Sequence, residues 1–115
     1  MNQNGTGAPI KINSSNIELA EPLPHKVREE IVHVTRTYFG HLNHATVGFT
    51  REGHSYSCTI NVQVNNLKMI VAEASAGDCD RAFDQALGKI GRRLHRRKQR
   101  ISERSRGETP TSVLT

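Results

Sequence analysis

Lys89, Arg92, Arg93, Arg96, Arg97, Lys98 and Arg100 gather seven of the chain's sixteen Lys and Arg between positions 89 and 100. No acidic residue falls between Asp84 and Glu103. A one-signed run of this kind offers electrostatic chemistry, the holding of phosphates, and its geometry depends on the backbone that carries it. Phe83, Leu87, Ile90, Leu94 and Ile101 recur at spacings of four, three, four and seven, which predicts a helix from about Asp80 to Ile101 with one narrow apolar stripe. Lys89, Arg92, Arg93, Arg96 and Arg100 then project together on the other side, and Arg97 and Lys98 flank the stripe. Like charges four residues apart, such as Lys89 with Arg93, destabilise an isolated helix by a few tenths of a kcal/mol. An anionic partner offsets that. A row of arginines on a helix tracks a nucleic-acid backbone and reads few bases, so binding should depend strongly on salt.

Other chemistries find less support. Of six histidines, His41 and His44 make the nearest pair, but a structural zinc site wants four ligands and a catalytic one three with a supported outer shell. The reading is loop histidines, with Cys58 as a buried strand thiol and no metal or cofactor. There is no GxSxG elbow and no paired-carboxylate pattern, so no catalytic residue is assigned and the chain does not read as an enzyme. Gly88 and Gly91 fall inside the last helix, where each costs about 1 kcal/mol relative to alanine. Gly88, on the outer side, would admit close approach of an RNA backbone, and Gly91, beside the stripe, would clear a neighbour. Packing or drift is the favoured account of both.

The 115 residues suffice for one domain, and 35% hydrophobic with 4% aromatic content implies a thin core of Ile, Val, Leu and Ala. Net charge +5 and pI near 9.7 favour an acidic partner, nucleic acid foremost. Neither cysteine sits in a CxxC pair, which points to a reducing compartment. No long apolar run or secretory signal is present, so the expectation is a cytoplasmic protein without membrane or small-molecule partners.

Along the chain, residues 1–8 form a flexible lead and Ile10 to Asn13 a short strand. Pro22 and Pro24 open a helix whose apolar face is Leu23, Val27, Ile31, Val34 and Tyr38, ended by Gly40. Its outer side carries Lys26 and Arg36, diluted by Glu29 and Glu30. Strands follow over Ala45 to Arg51, over Ser57 to Val64 with Cys58, Ile60, Val62 and Val64 on the core side, and over Leu67 to Ala74 after an Asn65-Asn66 turn. Asp78 caps the last helix. The fold class is α+β: a β-α-β-β-β-α two-layer sandwich, its four-stranded sheet carrying both helices on one face. The domain spans 9–101, and 102–115 read as a disordered tail.

Ala72-Glu73-Ala74-Ser75, Asp78, Ala82-Phe83-Asp84, Leu87, Lys89-Ile90, Arg92-Arg93-Leu94 and Arg96-x-Lys98 resemble the bacterial ribosome hibernation promoting factors, also called ribosome-associated translation inhibitors or ribosomal subunit interface proteins. Ile10-x-Ile12 with Asn16-Ile17-Glu18-Leu19 resembles their opening strand and turn. The resemblance, over about Ile10 to Ile101, implies a fold similar to double-stranded RNA-binding domains. It also implies binding in the small-subunit channel where mRNA and tRNAs would lie, and inhibition of translation by occlusion. Carried over residue by residue, Lys89, Arg92, Arg93, Arg96, Lys98 and Arg100 would lie against small-subunit rRNA, with Arg97 beside them and Lys26 and Arg36 as secondary contacts. Where the family commonly has an aromatic beside the capping Asp, this chain has Asp80. Ending at Thr115, it looks like a short form without the further C-terminal domain of long members.

Two readings compete with a ribosome-binding translation inhibitor: a free-standing RNA-binding module, and a regulator that sets the ridge on an acidic protein surface.

Overall fold

The computed structural model describes residues 10–15, 17–39, 42–65 and 67–108, with side chains as far as Ile101. The elements run β1 (Ile10–Ser15), α1 (Leu23–Tyr38), β2 (Leu42–Glu52), β3 (Ser55–Val64), β4 (Ile70–Ala76) and α2 (Cys79–Glu108). The order is the expected β-α-β-β-β-α. The sheet order is β1-β2-β3-β4, with β1 parallel to β2 and the remaining pairs antiparallel. A parallel pair cannot be closed by a tight turn, and α1 supplies the crossover.

Register explains the core. Ile12, Val47, Ile60 and Ala72 lie in one row across the four strands, and Ile10, Ala45, Val62 and Ile70 in the next. Phe49, Cys58 and Ala74 make a third row. Because strand side chains alternate, all three rows share one face, and both helices close over it: Val27, Ile31 and Thr35 from α1, and Ala82, Phe83, Ala86, Ile90 and Leu94 from α2, are buried there. Thr35 is accommodated because its hydroxyl donates to the Ile31 carbonyl at 2.9 Å. Leu23, Val34 and Tyr38, expected on the buried face, are only half-buried, the first at the start of α1 and the other two on the side that packs against α2.

The other face is not uniformly wet. Alternation assigns Ser57 to water, yet it is buried and donates to the Glu73 carboxylate at 3.0 Å across the β3–β4 pair. Connections also depart from expectation. Asn65 takes a positive φ of 50°, but the turn is not a two-residue hairpin, since β4 begins only at Ile70. The β2–β3 turn uses Gly53 at φ 65°. Pro22 and Pro24 do open α1, and the helix ends at Tyr38 with the Phe39 N–H bonded to the Thr35 carbonyl at 2.8 Å. Gly40, Asn66, the 1–8 lead and residues 109–115 lie outside the described residues.

Helix α2 runs beyond the expected end at Ile101, so the 102–115 segment read as a tail starts within it. Its burial stops earlier. Leu94 is buried, whereas Ile101 is 39% exposed.

Candidate nucleic-acid interface

The start of α2 is fixed by its cap. Asp78 accepts the Arg81 N–H at 2.8 Å through Oδ1, satisfying a donor the helix cannot, while its backbone carbonyl accepts the first helical bond, from the Ala82 N–H at 3.1 Å. Asp80 and Asp84, one turn apart, both receive Lys26 of α1, the latter at 3.1 Å. The Lys26 ammonium also lies 6.0 Å from the centre of the Phe83 ring. The hydrogen bond to Asp80 holds Lys26 above the ordinary lysine pKa, partly opposed by desolvation. Asp80 thus anchors one helix to the other.

The basic residues of α2 divide into two rows. Lys89 donates to the Glu73 carbonyl at 2.8 Å, Arg93 to that of Val71, and Arg97 to that of Lys68 at 3.4 Å. These three, spaced four apart, reach over β4 and the segment just before it, at the edge of the sheet beside which the described residues place no further strand. A bond to a neutral carbonyl leaves the charge in place. Arg92 and Arg96 lie on another side and line a groove of about 510 Å³ between α2 and the end of α1. Gly88 and Gly91 also line it, with Tyr38, His95 and Gln99. Lys98 and Arg100 are exposed. Among the described residues, none of the seven cations from Lys89 to Arg100 is paired with a carboxylate.

The remaining sequence-derived candidates fall elsewhere. Lys26 is held in the α1–α2 clamp, and Arg36 lines a hollow on α1 shared with Glu29, Glu30 and His33. Packing does not account for the two helical glycines: a Cβ at Gly88 would meet only the tip of Arg92, at 3.8 Å, and one at Gly91 the Val34 methyl at an ordinary 3.5 Å. Sequence reasoning missed Tyr38, His95 and Gln99 as members of a site. A helix wheel groups Gln99 with Arg92 and Arg96, but nothing local brings in Tyr38.

Among the described residues no three of His, Cys, Asp and Glu meet in a way that would hold a metal, and His41 lies outside them. Both cysteines are free thiols. Burial, and secondarily the neighbouring Cys79, pushes the Cys58 thiol up to about 12. Such a thiol is inert as a nucleophile. No helix among the described residues is long and apolar enough to cross a membrane.

Comparison with known proteins agrees with this architecture. The N-terminal domain of Protein Y from Thermus thermophilus superimposes with a TM-score of 0.69 at 20% identity, covering 77% of this chain and 97% of that one. A ribosomal subunit interface protein from Coxiella burnetii matches with a TM-score of 0.69 at 15% identity, covering 78% and 97%. At those identities the likeness is one of fold. In sequence, the chain is 25% identical over 96 residues to a ribosome hibernation promotion factor from Bradyrhizobium diazoefficiens, covering 84% of this chain and 47% of the relative. The chain therefore spans about half the length of that protein. The model of one family matches residues 10–102, from the first residue of β1 to just past the last α2 side chain described. With the β-α-β-β-β-α order, the capped basic helix and this match together, the chain belongs to the Sigma 54 modulation protein / S30EA ribosomal protein family.

Proposed function

We propose that this protein is a ribosome hibernation factor: it binds the small ribosomal subunit in the channel used by mRNA and tRNA and inhibits translation by occluding it, without catalysis. The observation that carries this reading is the set of seven α2 cations with no carboxylate partner among the described residues. An uncompensated row of this length is a phosphate-binding surface, and the family is one of ribosome-associated proteins. Arg92, Arg96, Lys98 and Arg100 face the rRNA backbone. Lys89, Arg93 and Arg97 add to the field from the sheet edge, since their carbonyl bonds leave them charged. Lys26 and Arg36 are secondary, the first already paired with two carboxylates and the second lining a hollow that contains Glu29 and Glu30. A cytoplasmic location follows from the partner.

The test is co-sedimentation with ribosomal subunits across a salt series, beside a variant with alanine at Arg92, Arg93 and Arg96. Saturable binding to small subunits is expected, with a salt slope that falls by about one for each phosphate the variant no longer neutralises. Equal binding to any RNA duplex would favour a general RNA-binding module, and binding that survives ribonuclease would favour an acidic protein partner.

A further inference from the structure

Gly88 and Gly91 sit inside a long helix, where glycine is disfavoured relative to alanine. Neither is required by packing, because the Cβ positions meet only the flexible end of Arg92 and an ordinary methyl contact. Neither has the positive φ that would demand glycine; that conformation occurs at Gly53. What the two missing side chains do provide is depth, for both line the groove of about 510 Å³ between α2 and the end of α1.

The walls of that groove differ in chemistry. Tyr38 and His95 form an aromatic wall, ring centroids 5.6 Å apart and planes inclined at 66°. Arg92 and Arg96 bring two guanidinium groups, and Gln99 an amide that both donates and accepts. Positions 88, 92, 95, 96 and 99 share one helix side because they differ by three or four residues. Among the described residues no carboxylate lines the groove, in contrast to the hollow along α1 that contains Glu29 and Glu30.

An aromatic ring face beside two guanidinium groups matches a flat base with its phosphate. We infer that this groove is a subsite for one unstacked nucleotide of the bound RNA, its base against Tyr38 and His95 and its phosphate on Arg92 and Arg96. The inference rests on the RNA-binding reading and adds that recognition includes a nucleotide outside a helix. Bases in a continuous duplex are stacked on one another and cannot enter. Stacking on an aromatic side chain tolerates any base, so the subsite selects strand state and not sequence.

Two measurements test it. In the first, Gly88→Leu, which fills the groove, and Tyr38→Leu, which removes the stacking wall, are titrated with fluorescein-labelled single-stranded RNA of about ten nucleotides and with a blunt RNA duplex of the same length. Both variants should lose roughly ten- to hundredfold in affinity for the single strand and keep the duplex affinity of the parent. The second uses the absence of Trp and the presence of only two Tyr. In a Tyr56→Phe background the emission of Tyr38 should fall as single-stranded RNA saturates the protein, whether or not the groove variants fold well. Single-strand binding by Gly88→Leu within about twofold of the parent, or unchanged Tyr38 emission at saturation, overturns the inference.

Small-subunit binding separates this outcome from the function itself. If the parent and both groove variants bind subunits equally, the subsite is lost and the ribosome reading stands. If the parent ignores subunits yet binds single strands through the groove, the subsite stands and the ribosome reading is lost. Binding to no RNA removes both.

Discussion

The Lys89 ammonium lies 2.8 Å from the carbonyl oxygen of Glu73, tying the middle of α2 to the outermost strand of the sheet. Arg93 repeats the bond one turn later on Val71. An open strand edge is a template for another strand, and here it also exposes Met69 and Val71, at 43% and 44%. A combined Lys89→Ala and Arg93→Ala variant should uncover it. The expected result is concentration-dependent self-association in sedimentation velocity at low salt, with stability lowered by under about 1 kcal/mol because both side chains are exposed. A variant that stays monomeric at high concentration would show that the two side chains have no protective role.

Lys26 should act mainly on stability. Its ammonium is shared by Asp80 and Asp84, whose side chains are 58% and 54% exposed, so the clamp is worth about 1 kcal/mol or less. Lys26→Met keeps the stem over Phe83 and removes the charge. It should lower Tm by a few degrees, on the scale of about 4–8 °C per kcal/mol, while reducing small-subunit affinity less than Arg96→Ala does. High salt should shrink the Tm difference. An affinity loss equal to that of Arg96→Ala would place Lys26 among the primary contacts.

Cys58 should resist thiol reagents in the native protein while Cys79, half-buried at the start of α2, reacts first. Both thiols are raised by burial, Cys58 from 9.0 to about 12. The folded state therefore holds its proton where the unfolded chain has released it. Stability from this group is complete below pH 9.0 and is lost as pH rises toward 12, by up to about 1.4 kcal/mol per pH unit. In urea melts the gap between parent and Cys58→Ala should hold constant up to pH 9.0 and narrow above it. A constant gap at all pH values would contradict the buried thiol.

Two residues of one predicted stripe should differ sharply. Leu94 is fully buried against the sheet, whereas Ile101 is 39% exposed beyond it. Leu94→Ala should cost about 2–5 kcal/mol, and Ile101→Ala about 0.5 kcal/mol or less. Comparable losses in denaturant melts would mean that the end of α2 packs on the domain.

Elements and their faces were legible because their causes are local. The seven-and-four spacing of Phe83, Ile90 and Leu94, the alternation of Cys58, Ile60, Val62 and Val64, and the capping Asp78 each depend on residues within two turns or one strand, and all three hold in the structure. The concentration of charge on α2 was legible for the same reason. Its partition was not. Whether a given arginine meets a strand edge or a groove depends on pairs of residues far apart in sequence, such as Arg93 with Val71, separated by 22 positions, or Lys26 with Asp80, separated by 54. Ser57 shows the same limit, since alternation assigns it a face but only the adjacent Glu73 of β4 supplies the partner that lets it be buried.

Composition and periodicity thus set the α+β class, the strand and helix order, and the presence of one strongly cationic helix, since each follows from short-range sterics and the burial of apolar faces. The division of that helix into an edge-covering row and a groove-facing row, and the meeting of Tyr38 with His95 over Gly88 and Gly91, arise only when α1 and α2 close on the same side of the sheet. Side-chain direction on a helix is local, but what lies opposite it is a property of packing.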